Sequence, residues 1–434
     1  MPNSRHFSLI SACLGALLLC VPVCAKQGAP ADKGAVDPGL EPEVKMEELI
    51  KVATENNPAI RSAQHSAAAS KSMASAATAL PDPTVTFEHM GNFAPPTLMA
   101  GDPSSARTYG VEQEIPFPGK RGLKGNIASA EADIQQWNHQ IVSRQVISDL
   151  KQAFYDLYFL RKSIDILMKN RDLLQNFEQI AESRYSVGQA IQQDVLKAQV
   201  ELSKVLDRML ILGQKKRIAE AKINNLLYRP AEAPVGRPAE FKKAELGYSL
   251  EELTELALSG SPTLKVQESE ITRRHYGVEL AQKEYYPDFA VGFTYFERDQ
   301  NPEMYRFMLK AKVPIYFWAK QRPELEAARQ NLASARTMRD SASSTVRFQV
   351  REAYTLATTS EKLAKLYSSA IVPQANLTLN SAIANYQVGK IDFLQLTDSS
   401  LALLEYELKY YESMIEYHKA LAQLEVLVGV DLTQ

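Results

Sequence analysis

The sequence predicts a mainly helical fold with a small β part: long α-hairpins of coiled-coil type, duplicated, and four short strands. Three observations predict it. The chain repeats itself once from end to end, its long segments carry apolar residues at heptad spacing, and four segments between them alternate apolar and polar residues.

The repeat is the first of these. ENNPAI, from Glu55, returns as SGSPTL from Ser259. LPDPTVTF, from Leu80, returns as YPDFAVGF from Tyr286. GNIASA, from Gly125, returns as QNLASA from Gln330. Tyr185 and Gly188, in RYSVG, return as Tyr386 and Gly389, in NYQVG. A period of about 200 residues marks a duplication, because solenoid repeats run to roughly 20–50 residues.

The elements follow in chain order. Arg5 and His6 precede an apolar run from Leu9 to Val23, and Val23-Cys24-Ala25 offers a small-residue cleavage site. Residues 1–25 thus read as a secretory signal peptide. It holds all 3 cysteines, Cys13, Cys20 and Cys24, so the mature chain is expected to lack thiols and disulfides. Lipidation of Cys20 or Cys24 is the alternative, although Leu19 and Val23 stand before them where a small residue is expected. Residues 26–45, rich in Pro, Gly, Ala and charge, read as an N-terminal tether.

The first repeat covers 46–230 and the second 249–432, with a linker at 231–248. Each opens with a short amphipathic segment and a helix ending at Leu80-Pro81 or Tyr286-Pro287. Strands are expected at 84–93 and 105–116, then at 288–298 and 304–315. Long helices are expected at 120–187 and 190–228, then at 320–388 and 391–428. Leu150, Leu157 and Ile164 form one heptad row, and Leu160, Leu167 and Leu174 another, which is an a/d seam. A helix of about 66 residues spans roughly 100 Å, the length of a strut rather than of a globular core element. Val187-Gly188 and Val388-Gly389 sit where such a helix turns back, glycine supplying the left-handed conformation.

In the strands, Phe289, Val291, Phe293 and Tyr295 share one face. So do Tyr305, Phe307, Leu309, Ala311 and Val313, with Arg306, Lys310 and Lys312 opposite them. Val85, Phe87, Tyr109, Val111 and Ile115 repeat the pattern more weakly, against Glu88, Glu112 and Glu114. Segments of about nine to twelve residues are long enough to cross a bilayer when tilted. Four strands cannot close a barrel, and an open edge is not tolerated in lipid. Strands that span a membrane therefore require an oligomer, and three copies would supply twelve.

The duplicated plan, the paired hairpins, VEQEIPFPGKRG (Val111–Gly122) and the twin Tyr-x-x-Gly tips resemble the TolC-type outer-membrane efflux family over nearly all of the mature chain. The wording EIPFPGKRG is most similar to the heavy-metal branch of that family, the CzcC- and CusC-like proteins. The resemblance implies a homotrimer whose four strands per chain contribute to one shared β-barrel in outer-membrane lipid, above a long periplasmic helical tunnel. It implies the exit duct of a tripartite pump, with a periplasmic membrane-fusion adaptor docking at Tyr185, Val187, Gly188, Val388 and Gly389, and an RND-type inner-membrane transporter. It also implies that Glu112, Glu114, Arg306, Lys310 and Lys312 face the barrel lumen.

In that family polar contacts between the hairpins hold the periplasmic mouth closed, and aspartate rings narrow it. Asp194 matches the latch aspartate, Tyr386 the tyrosine it pairs with, and Asp398 one ring aspartate. Gln395 stands where the other ring aspartate is expected, and Ile391 where the family's best-known member has a latch arginine. The mouth is therefore expected to be less acidic, with a latch that holds without an ion pair. From helix chemistry alone, Asp194 is equally a first-turn aspartate favoured by the macrodipole. Asp398 is equally a solvated residue and Tyr386 a packing residue of the seam.

Other chemistry finds no motif. Lys and Arg number 49 against 51 Asp and Glu, a net charge of −2, which is not a nucleic-acid footprint. His65, His89, His139, His275 and His418 form no metal-ligand pattern. Met304 and Met308 fall on an expected strand and read as packing rather than as a soft-metal site. With no P-loop and no GxSxG, the sequence predicts no enzyme, no cofactor and no resident metal. The competing readings are a drug-efflux or type I secretion duct of the same fold and, in another class, an exported coiled-coil adaptor or scaffold.

Overall fold

The computed structural model describes residues 42–241, 245–299 and 301–432. The signal peptide, both candidate lipidation sites and most of the tether lie outside the described residues.

Each repeat opens with two helices that meet at a proline. These are α1 (Met46–Asn56) and α2 (Pro58–Ala76), then α5 (Leu250–Gly260) and α6 (Pro262–Lys283). A proline suits the first helical position, where its missing N–H would find no partner anyway. Asn57 caps α2 by accepting from the amides of Ala59 and Ile60. Ser249 and Glu252 form a reciprocal capping box at α5. Two residues next to α1, β1 (Glu43–Val44), pair in parallel with β4 (Arg237–Pro238), so the end of the tether is tied to the linker.

The four remaining strands are β2 (Thr84–Met90), β3 (Ala106–Ile115), β5 (Asp288–Glu297) and β6 (Met304–Lys312). They form one antiparallel sheet in the order β2-β3-β5-β6. β6 stops at Lys312, short of the expected end at 315, because Pro314 follows and has no N–H for a ladder.

The first long helix, α3 (Lys120–Ser186), runs unbroken for 67 residues. It folds back into α4 (Gln192–Leu226). Its counterpart departs from the expected continuous helix. α7 (Gln321–Leu366, 46 residues) passes through a π-helical turn (Tyr367–Ile371, 5 residues) into α8 (Val372–Gln387, 16 residues), and together they match the length of α3. Pro373 explains the break: it cannot donate to the carbonyl four residues back, and the turn before it widens. α9 (Phe393–Val428) completes the second hairpin.

Leu150, Leu157, Leu160, Leu167 and Leu174 are all buried, whereas Ile164 is only partly so. Near the hairpin tips, Leu167, Leu174 and Phe177 of α3 pack with Leu379 and Tyr386 of α8 and with Phe393 and Leu396 of α9. Further along, α1, α3 and α4 share a core around Leu49, Leu150, Leu157 and Ile223. Leu253, Val350, Tyr417 and Leu421 form its counterpart among α5, α7 and α9. These cores fix the two hairpins side by side with both tips at one end.

Candidate functional site

Both hairpin tips are built alike. At the first, Gly188 has φ 74° and the Gln189 amide donates to the Arg184 carbonyl at 2.8 Å. At the second, Gly389 has φ 75° and the Lys390 amide donates to the Asn385 carbonyl at 2.9 Å. This is the glycine-terminated helix end, in which a left-handed residue lets the next amides satisfy the last carbonyls. The flanking apolar side chains point outward: Tyr185 is 48%, Val187 66% and Val388 67% exposed. Two equivalent apolar knuckles are thus presented at the same end of the protein.

Tyr386 lies between the tips and is only 3% exposed. Its ring meets Phe393 edge-on at 5.7 Å. Its hydroxyl has no hydrogen-bond partner among the described residues. The expected Tyr386–Asp194 hydrogen bond is therefore not made. Burial, and after it the negative charge of Asp194 in the first turn of α4, holds the Tyr386 phenol above its ordinary range, with Arg184 opposing them. Burial, then the negative charge of Asp392, pushes the Asp194 carboxyl up, while Arg184 opposes them.

Arg184 is the residue that sequence reasoning missed. Its guanidinium donates to the Tyr386 carbonyl, at the end of α8. It also lies 4.9 Å from the centre of the Tyr386 ring. It thus joins the two tips by a charge-assisted hydrogen bond and a cation–π contact, and its positive charge meets the negative end of the α8 dipole. Gly389 leaves room for it, since a Cβ there would come 3.1 Å from Nη2 of Arg184. A basic residue does reach this region: Ile391 stands where an arginine was looked for, but Arg184 comes in from the first hairpin, and its contacts are to a carbonyl and a ring rather than to a carboxylate. One signal was present. The two tip sequences differ at this position, Arg184 in one and Asn385 in the other, although each precedes the shared tyrosine.

Gln395 and Asp398 are both exposed near the start of α9. The Gln395 amide donates to the capping carboxylate of Asp392 at 2.8 Å. Within one chain the structure does not bring Gln395 or Asp398 to Tyr386 or Arg184.

At the sheet, the register settles which residues share a face. Val85 pairs with Val111, Val111 with Phe293 and Phe293 with Phe307. Phe87, Tyr109, Tyr295 and Tyr305 extend the same apolar face, and Phe87 meets Tyr109 at 5.3 Å between ring centres. Glu112, Glu114, Arg306, Lys310 and Lys312 all fall on the opposite face, together with Thr84, Thr86 and Thr108. There Lys310 reaches Glu112 at 2.6 Å across β5, and the Arg306 guanidinium lies 4.7 Å from the centre of the Phe296 ring. An apolar aromatic face and a charged face on one open antiparallel sheet are the two surfaces of a barrel wall.

The segment EIPFPGKRG occupies the join between sheet and helices. Gly119 has φ 93°, and Lys120 follows as the first residue of α3. Lys120 is 2% exposed, and its ammonium donates to Asp288 at 2.9 Å, to Glu284 at 3.0 Å and to the Tyr286 carbonyl at 3.1 Å. Phe117 stacks on Tyr286 at 4.6 Å. The motif therefore fastens the start of the first long helix to the second repeat.

Among the described residues, no group of three or more His, Cys, Asp or Glu converges as a metal site. No described helix is long and apolar enough to cross a membrane.

The comparisons agree with this geometry. Residues 49–227 and 253–430, the two repeats, match the family model described as outer membrane efflux protein. The cobalt-zinc-cadmium resistance protein CzcC of Cupriavidus metallidurans is 20% identical over 343 residues, covering 77% of this chain and 80% of CzcC. Among solved structures, CusC superposes with a TM-score of 0.78 at 14% identity, covering 90% of this chain and 93% of CusC. VceC from Vibrio cholerae superposes with a TM-score of 0.76 at 14% identity, covering 89% and 96% of the two chains. The chain therefore belongs to the outer membrane efflux protein family, with its sheet at the outer membrane and its long helices on the periplasmic side.

Proposed function

We propose that this protein is the passive exit duct of a tripartite efflux pump and that its cargo is heavy-metal cations. The observation that carries the cargo is the similarity to CzcC, a cobalt-zinc-cadmium resistance protein, over 77% of this chain. The charged face with Glu112, Glu114, Arg306, Lys310 and Lys312 would line the barrel lumen, because the aromatic face suits lipid. The exposed knuckles at Tyr185, Val187, Gly188, Val388 and Gly389 would receive a periplasmic adaptor, which couples the duct to an inner-membrane transporter of RND type.

The periplasmic mouth would be gated where the two tips meet. Three copies of Asp398, related by a threefold axis, would favour cations in a narrow pore. Gln395 adds no charge there. Arg184 and Tyr386 hold the tips of each chain together, and Asp194 waits beside an unused hydroxyl. An adaptor that offers replacement contacts could exchange these bonds, each worth about 1.5–3 kcal/mol when charge-assisted.

Deleting the gene in its source organism tests the cargo. Growth and cell-associated metal are compared across Cu, Ag, Zn, Co, Ni and Cd salts, beside detergents and hydrophobic drugs. Selective metal sensitivity, restored by the intact gene, is expected. Sensitivity to organic compounds alone would leave the duct and remove the metal assignment.

A further inference from the structure

Sheet and helices share one lateral order. The sheet runs β2-β3-β5-β6, and beside it α2 packs on α3, α3 on α6 and α6 on α7. Both layers end on the same open flanks, β2 with α2 on one side and β6 with α7 on the other. The seam between them, where repeat one meets repeat two, is fully paired through β3–β5 and α3–α6. Because the repeats are versions of one unit, the free β6/α7 flank is a second edition of the β3/α3 flank. The free β2/α2 flank is likewise a second edition of β5/α6. Each open flank is therefore built to meet the other on another copy of this chain.

The equivalences follow from register and burial. Val85 pairs with Val111 as Val291 pairs with Leu309. Leu80-Pro81-Asp82 corresponds to Tyr286-Pro287-Asp288. The buried Val146, Leu150, Ala153 and Leu157 of α3 recur at the same spacing as Val346, Val350, Ala353 and Ala357 of α7. That spacing carries Lys120 onto Lys320, the residue before α7, and Gly125 onto Leu325, five residues short of the Gln330 that the likeness of GNIASA to QNLASA suggested. Lys120 is buried against Asp288, but Lys320 and Asp82 are exposed and take part in no ion pair among the described residues. A lysine on one flank and an aspartate on the other are each missing the partner that the internal seam supplies.

We propose that Lys320 of one subunit clamps Asp82 of the partner subunit, copying the Lys120–Asp288 clamp within the chain. We further infer that β6 adds to β2 of the partner subunit with Lys310 opposite Thr86. This register transfers the pairing of Glu112 with Gly292 onto the subunit boundary. The boundary clamp holds one carboxylate fewer, because the position of Glu284 is taken by Thr78 in the first repeat. The clamp at the subunit boundary is thus the weaker of the two clamps.

The inference rests on the trimer, and its test separates the two. The full-length protein is expressed in outer membranes with Lys310→Cys and Thr86→Cys together; the described residues contain no other cysteine. Oxidation is expected to give covalent dimers and trimers. In parallel, Lys320→Glu and Asp82→Lys are each expected to lower the temperature at which detergent-extracted trimers dissociate, and the double variant to recover most of the loss. Trimers by native mass spectrometry that crosslink only through Lys310→Cys with Thr84→Cys would overturn the register. Additive losses in the double variant would overturn the clamp. A monomeric native mass would overturn the trimer reading itself.

Discussion

At the scale of single residues, the tips rest on Arg184 rather than on the Tyr386 hydroxyl. Replacing Arg184 with Ala removes a charge-assisted hydrogen bond to the Tyr386 carbonyl and a cation–π contact. The expected cost is about 1.5–3 kcal/mol of tip stability, read as faster amide exchange at 184–192 and 385–393. Tyr386→Phe is expected to leave exchange unchanged, because the hydroxyl it removes has no partner. Asp194 has a pH signature with a definite sign. Its carboxyl is held above the ordinary range, chiefly by burial, so ionisation works against the folded tip at neutral pH. Asp194→Asn is expected to slow tip exchange at pH 7, and the gain should fade as pH falls through the raised carboxylate range, where wild-type Asp194 is itself protonated. A gain that persists at low pH would mean that charge is not the cause. Asp194 and Tyr386 could be picked out because, counted from a tip glycine, each matches a latch position of the family that the sequence resembles. Arg184 could not, because its partner is a backbone carbonyl some two hundred residues away, and carbonyls leave no mark on residue type.

At the scale of elements, the strands were legible because a period of two survives on a sheet whose faces meet different surroundings. The helix seam was legible from heptads, although Ile164 shows that a straight helix drifts off a strict seven-residue row. The π-helical turn was marked by Pro373, but a proline alone does not say whether a helix kinks, ends or widens. Two substitutions test the joints. Gly389→Ala places a Cβ at positive φ and 3.1 Å from Arg184, whereas Gly188→Ala meets open space. Both incur about 1 kcal/mol of backbone strain, and Gly389→Ala is expected to cost more in thermal stability because Arg184 must also shift. At the other end, Lys120→Met leaves the carboxylates of Glu284 and Asp288 without their shared cation. Both carboxylates reach solvent in part, so the expected loss is on the order of 2 kcal/mol, measured as a lower melting temperature.

At the scale of the whole molecule, one idea accounts for the architecture: a unit made twice in the chain and laid side by side leaves complementary flanks. An antiparallel sheet with an apolar aromatic face and two unpaired edges cannot stand alone in lipid. Its open edges and the bare sides of α2 and α7 are the same requirement stated in two layers. The charged face, the buried Lys120 join and the exposed knuckles then lie along one axis, from outer membrane to periplasm. The duplication in the sequence announced this plan, and strand length with the missing closure pointed to an oligomer. Cargo was not legible, because a conduit that only bounds a path need not bind what passes through it.

Single-channel recording in planar bilayers is the decisive measurement for the proposed cation-conducting duct closed at the tips. Wild-type protein is expected to show small, cation-selective conductance steps. Arg184→Ala should enlarge those steps, and Tyr386→Phe should leave them as they are. Conductance that is anion-selective, or that Arg184→Ala leaves unchanged, would rule out such a duct.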